Sequence, residues 1–278
     1  MVSRLTGALL RAILMVVVIA LPSMMVPGTD ADTAQIVALV ALCAGALTLF
    51  EYASAYPGLV EFRDAPPFNR IRFLSLFTMV LTLSIMARGT TTPTTSTEFV
   101  TLVGTLIGHA IDFPYSPVRL IVLMLPDDAS AAEIATLRTA AGMTYLISLI
   151  SLAIFVIALG AGRWPSRGAF NVWVNLPTFD PTAGGDVVAR LERDARFNIA
   201  FGFLLPFLTP AVIQAASSLF GSVSVTNNQT MIWTITAWAF LPASLFMRGI
   251  AMGRVAAMIS TERKKNTKDG KDDALQPA

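Results

Sequence analysis

Histidine and cysteine are almost absent, with one residue of each, His109 and Cys43. A lone cysteine forms no disulfide within the chain, and one imidazole beside one thiol does not complete a transition-metal site, so no metal or other cofactor is expected. Charge is scarce as well: Asp, Glu, Lys and Arg make up 14% of the 278 residues, against roughly 25% in a soluble domain. A water-exposed exterior cannot be built from so little polar material. Catalytic signatures are missing too, since the chain has no HExxH, no Gly-rich phosphate loop ending in Lys-Ser or Lys-Thr, and no GxSxG. The basic residues form separate patches without interleaved aromatics and the net charge is only +2, which argues against a nucleic-acid partner.

What the chain has in abundance is apolar sequence, 54% of all residues, gathered into runs near the 20 or so residues a helix needs to cross a hydrocarbon core. The runs predict an all-α polytopic membrane bundle in a single domain, residues 1–260. Its six spans are Leu5 to Val26, Thr33 to Ala55, Ile71 to Ala87, Ala140 to Gly162, Phe197 to Phe220 and Met231 to Ile250. Arg4 and Arg11 before an apolar stretch imitate a secretory signal, but the run continues past Pro22 to Val26 without a small-x-small cleavage site, so the first helix reads as retained. Arg72 and Arg88 bracket the short third span, where both heads can snorkel to opposite interfaces.

The stretch from Glu98 to Leu125 is apolar but broken by Asp112, Pro114, Pro117 and Arg119. Charge distribution decides its role, because Lys and Arg collect on the cytoplasmic side of short loops. With six spans, 17 of the 20 basic residues fall on one side and Arg88, Arg119 and Arg138 on the other; a seventh crossing reduces the split to 13 against 7. The stretch is therefore expected to be re-entrant or interfacial, on the outer side of a bacterial cytoplasmic membrane with both termini inside. The inner loop 163–196 contains Asp186 as a helix N-cap, with a helix from Val187 running into the fifth span. The tail 261–278, rich in Lys, Asp and Asn, has little to bury and is expected to be disordered.

Few side chains suggest chemistry. His109 and Asp112, three residues apart, share a face if their segment is helical, and Asp127, Asp128 and Glu133 follow on the same side. The pair reads as a proton relay or half a metal site, or as an ordinary polar pair at the interface. In the fifth span, Pro206 and Pro210 each remove a backbone hydrogen bond, and Gln214, Ser217 and Ser218 form a polar stripe. That stripe suits either a transport route or interhelical packing. The middle third of every span lacks an ionisable residue, unlike many coupled transporters. Gly104 with Gly108 and Gly249 with Gly253 have the spacing of close helix contacts.

The most distinctive strings lie outside the spans, at Glu61 to Arg70 and Asn171 to Pro181. These features lead to a non-enzymatic accessory or assembly component of a membrane complex, with the lipid bilayer and other membrane proteins as partners. A small-molecule transporter or channel using the fifth span, and a membrane enzyme with an outer site near His109, are the alternatives.

Overall fold

The computed structural model describes residues 2–126, 128–161, 164, 170–220 and 228–274, with side chains placed for 4–126, 128–161, 164, 170–215 and 228–266. The described residues form helices and no strand: α1 (Val2–Met25), α2 (Ala31–Ala53), α3 (Phe68–Gly89), α4 (Thr95–Ile111), α5 (Pro117–Val122), α6 (Ala131–Ala161), α7 (Val172–Asn175), α8 (Val187–Phe220) and α9 (Asn228–Ala274). Six of them, α1, α2, α3, α6, α8 and α9, are long and apolar enough to cross a membrane. The protein is an all-α integral membrane bundle, with α4 and α5 between the third and fourth spans.

Local chemistry sets the helix starts. Asp30 Oδ2 accepts from the Thr33 N–H at 3.0 Å ahead of α2, and Thr94 with Thr97 makes a capping box for α4. Ser130 and Glu133 make the same reciprocal pair at α6, with Glu133 N–H donating to Ser130 Oγ at 3.2 Å and Ser130 N–H donating to Glu133 Oε2 at 2.8 Å. That box extends α6 nine residues ahead of the apolar run that announces it. Asp186 Oδ2 accepts from Ala189 N–H at 3.2 Å, so α8 begins at Val187 as the charge pattern suggests. The segment 261–274 continues α9 as helix. Glu262 and Lys265 pair along it at 3.7 Å, and Arg263 Nη1 ties it to Asp186 Oδ1 at 2.6 Å, contacts that stand in for a buried face.

Two core clusters lie at opposite ends. One joins Val18 of α1 and Val26 just after it with Met79, Val80 and Leu83 of α3, Val118 and Ile121 of α5, Ala140 and Ala141 of α6, and Ile232, Ile235 and Trp238 of α9. The other joins Phe62, Ala65 and Phe68 with Phe155 and Leu159 of α6, Leu176, Phe179, Leu191 of α8, and Met247 to Ala256 of α9, and includes no residue of α1 or α2. This second, basic end also holds the ties from Arg4 to the Ser54 carbonyl, Arg248 to Glu61 and Arg263 to Asp186. The α1–α2 hairpin therefore leans on the bundle at the far end and stands away from it at the basic end.

At the far end α4 meets the last turn of α3, with Gly89 against Thr97 and Met86 near Gly104. It meets α6 at Arg138 to Met143. A Cβ on Gly142 would lie 2.5 Å from Gly108 Cα, so this crossing requires glycine at both positions. The opposite side of α4 leaves Phe99, Leu102 and Leu106 exposed along one stripe.

The prolines of α8 serve its seam with α9. Pro210 has no N–H for the Pro206 carbonyl four residues before it, and Trp238 Nε1 of α9 donates there instead at 3.1 Å. On the same seam a Cβ on Gly249 would lie 2.7 Å from the Ala195 carbonyl oxygen, which explains the small residue at that position.

Candidate functional site

The connection from α2 to α3 is short of regular structure and dense in polar groups. Glu51, 4% exposed at the last turn of α2, accepts three backbone N–H groups of that connection. They come from Gly58 at 3.0 Å, Leu59 at 2.8 Å and Val60 at 3.0 Å. The Arg63 guanidinium reaches back to the helix end, donating to the carbonyls of Glu51 at 3.1 Å, Ser54 at 2.8 Å and Ala55 at 3.3 Å. A helix C-terminus leaves such carbonyls unpaired and carries partial negative charge, so the cation satisfies both.

The two distinctive strings of the sequence meet here. Phe62 N–H donates to the Asn175 carbonyl at 2.6 Å, and Asp64 N–H donates to Asn175 Oδ1 at 3.1 Å. Thr178 Oγ1 donates to Glu61 Oε1 at 2.7 Å, and Arg248 grips both oxygens of Glu61 at 2.6 and 2.8 Å. Phe62 holds φ at +50°, a conformation that costs about 1–3 kcal/mol for a residue of its size. Its buried ring is pinned by Phe68, Trp164 and Phe170 at centroid distances of 4.5, 5.7 and 6.4 Å. A strained residue so heavily anchored fixes the wall on which it sits.

That wall bounds an opening of about 830 Å³ between α1 and α3, formed where the hairpin stands away from the bundle. Such a volume falls in the range of small-molecule sites, roughly 300–1,000 Å³. Its lining is of two kinds. Arg11, Arg63, Arg70, Arg72, Tyr52 and Asn69 supply polar groups, and Leu14, Met15, Phe73, Leu76 and Phe240 supply an apolar floor. On α1 the lining positions are 7, 10, 11, 14 and 15, and on α3 they are 69, 70, 72, 73 and 76, one side of the helix in each case. Arg11 precedes Leu14 and Met15, and Arg72 precedes Leu76, by about one turn, while Leu10 and Phe73 flank the arginines, so the apolar lining runs from beside the charges to a turn beyond them.

Arg72 is the unusual member. Expected at the interface, its guanidinium is instead turned inward, 4.9 Å from the Phe68 ring centroid and 6.0 Å from that of Phe240. Its Nε is buried and hydrogen-bonded to nothing among the described residues. Arg11 lies 4.6 Å from the Tyr52 ring centroid, with Nη1 donating to the Gly7 carbonyl at 2.8 Å.

The residues singled out by sequence lie elsewhere. α4 ends at Ile111, so Asp112 leaves the helical face it would share with His109. Its side chain, 4% exposed, sits between two cations, with Arg119 Nε 2.6 Å from Oδ1 and Arg138 Nε 2.6 Å from Oδ2. No hydrogen bond or ion pair joins it to His109 among the described residues, and His109 is exposed. Glu133 is occupied by its capping box and Asp128 is exposed. Asp127 lies outside the described residues. Among those described, no group of three or more His, Cys, Asp or Glu is placed to hold a metal ion.

Gln214 is exposed on α8, and the side chains of Ser217 and Ser218 lie outside the described residues. Pro206 lines a second cavity of only about 80 Å³, with Tyr145, Ser148 and apolar neighbours, and Pro210 is buried. Neither described cavity is lined by His109, Asp112 or Gln214. The sequence signal for the opening was the concentration of charge, proline and aromatics in Glu61 to Arg70, together with Arg72 near the start of the third span. Compared with protein-family models, curated proteins and solved structures, the chain matches none.

Proposed function

We propose that this chain is a non-enzymatic accessory protein of the membrane whose work is to hold an amphiphilic small molecule, of lipid type, in the opening between α1 and α3. One observation carries the reading. The opening combines arginines with an apolar lining that starts beside them and continues a helical turn further along α1 and α3, and a molecule with a polar head and a hydrocarbon tail matches both parts at once. A purely polar solute would leave the floor unused, and a purely apolar one would leave the arginines dry. On the positive-inside rule we place this basic end at the cytoplasmic face, in the inner membrane of a bacterium.

The accessory character follows from how the site is built. Its wall is a fixed scaffold of committed polar groups, with Glu51, Glu61 and Arg63 each engaged in protein contacts. None is left over as a general base beside the opening, whereas binding needs only the shaped lining and its free donors.

Native mass spectrometry of the full chain, released from mild non-ionic detergent, tests the proposal. The expected result is a retained amphiphile at one per chain that is lost when Leu76→Trp fills the floor, with helix content unchanged. A protein carrying no adduct under any gentle condition, or an adduct indifferent to Leu76→Trp, overturns it.

A further inference from the structure

We infer, resting on the reading of the opening as an amphiphile site, that its occupant is an anionic amphiphile, a phosphate- or carboxylate-headed lipid whose head is received by Arg72. The acidic side chains between the end of α2 and the start of α3 are already engaged. Glu51 is held by three backbone N–H groups, Glu61 by Arg248 and Thr178, and Asp64 lies 3.2 Å from Arg63 Nε. Arg63 is in turn spent on the end of α2. Arg72 alone among the described arginines lining the opening is both turned into the bundle and left with a buried, unpartnered nitrogen.

A guanidinium withdrawn from water without a counter-ion is unfavourable by several kcal/mol, and two aromatic faces recover only part of that. Five N–H donors in a planar fork suit the oxygens of a phosphate or carboxylate. Charge balance points the same way: Arg11, Arg63, Arg70 and Arg72 line the opening against one carboxylate, Glu61, which is itself neutralised by Arg248.

The tail has an assigned place. Phe73 and Leu76 continue from Arg72 down α3, Leu14 and Met15 continue from Arg11 down α1, and Phe240 closes the back. An anion without a tail would meet the arginines but leave this floor wet. The inference therefore names a lipid source for the headgroup, and inorganic phosphate becomes the control.

The test uses the full chain in neutral nanodiscs and titrates dioleoyl phosphatidic acid, dioleoyl phosphatidylcholine and inorganic phosphate, with bound species counted by native mass spectrometry. Charge-assisted hydrogen bonds predict that phosphatidic acid binds the wild type about tenfold to a hundredfold tighter than phosphatidylcholine. Arg72→Gln should abolish that preference while leaving phosphatidylcholine binding in place, Arg72→Lys should retain part of it, and Arg88→Gln at the far end should change nothing. Should Arg72→Gln fail to fold, the wild-type preference and the Arg72→Lys variant decide the matter. Equal binding of both lipids by the wild type, each still displaced by Leu76→Trp, sinks the headgroup inference and leaves the amphiphile reading standing. Binding of neither lipid at a site sensitive to Leu76→Trp sinks both. Inorganic phosphate competing as well as phosphatidic acid would mean a free-anion site and overturn the lipid assignment.

Discussion

The two ends of the bundle handle buried charge in opposite ways. At the far end, Asp112 is clamped between Arg119 and Arg138, joining the end of α4, α5 and α6, while Val118 and Ile121 of α5 close the apolar core beneath. At the basic end, arginines outnumber the carboxylates facing them, an opening separates α1 from α3, and Arg72 lies beside it against the Phe68 and Phe240 rings with no ion pair among the described residues and its Nε unpaired. A charge surrounded by its counter-charges and packed neighbours is a structural device. A charge left unmatched beside a cavity is one that awaits something from outside the chain. The ionisable pair most visible in the sequence, His109 with Asp112, lies at the satisfied end, whereas the site lies at the unsatisfied one.

The contrast is broken or sharpened by mutation, with the largest effect expected at the far end. Asp112→Asn leaves two arginines facing each other without their shared anion and should lower unfolding stability by about 2–3 kcal/mol, partial solvent access to Arg119 keeping it below the fully buried range. Denaturant titration in detergent would measure it, and an unchanged midpoint would mean the clamp is not structural. Gly142→Ala, by forcing a Cβ onto the Gly108 backbone, should cost about 1–3 kcal/mol and loosen α4, detectable as faster amide exchange over 95–111.

At the basic end the sign should reverse. Arg72→Leu removes an unmatched charge from an aromatic setting and is expected to raise stability by about 1 kcal/mol while weakening amphiphile retention. A destabilised Arg72→Leu protein would show that the arginine holds the fold and would erase the distinction between the ends.

The smallest effect concerns pH. Asp186 is held below the ordinary carboxylate range by its hydrogen bond from Arg263, then by the Ala189 N–H, and Asp180 is lowered by the Thr182 hydroxyl and then its N–H. A lowered carboxyl stabilises the folded state above its ordinary pKa and loses that contribution as pH falls through the lowered value. The start of α8 and the charged stretch of α9 should therefore stay docked from neutral pH down to about pH 4 and separate only in stronger acid. Amide exchange at 187–190 followed across that range would reveal it, and release between pH 6 and 8 would contradict the assignment.

Much of this architecture is written in the chain at the level of single helices. Runs of apolar residues crossing a membrane must satisfy their own backbone hydrogen bonds, so length and composition suffice to locate the six spans, and Asp186 marks the start of α8 because capping is a local interaction. Capping also explains a miss. The box of Ser130 and Glu133 is as local as any, but an apolar-run criterion passes over it, and α6 begins earlier than hydropathy alone suggests. Composition likewise reports that the C-terminal stretch has no buried face, and not the tie from Arg263 to Asp186 along its helical part.

The site was far less legible. Glu51, Arg63 and Arg72 are unremarkable in sequence, each a single charge near the end of a span, and what separates them is who their partners are. Glu51 and Arg63 find theirs within twelve residues, but the contacts that assemble the wall around them lie across long chain separations, as with Asn175 for Phe62 and Asp64, Arg248 for Glu61, and Phe240 for Arg72. Sequence by itself determined that the chain is a helical membrane protein with six crossings and a short helical interruption after the third, because the energetics of backbone and side chains in hydrocarbon act residue by residue. Only the tertiary structure decided which arginine is neutralised and which is left facing an opening. Pairing a charge and splaying a helix both depend on distances between residues far apart in the chain, and no local pattern carries those.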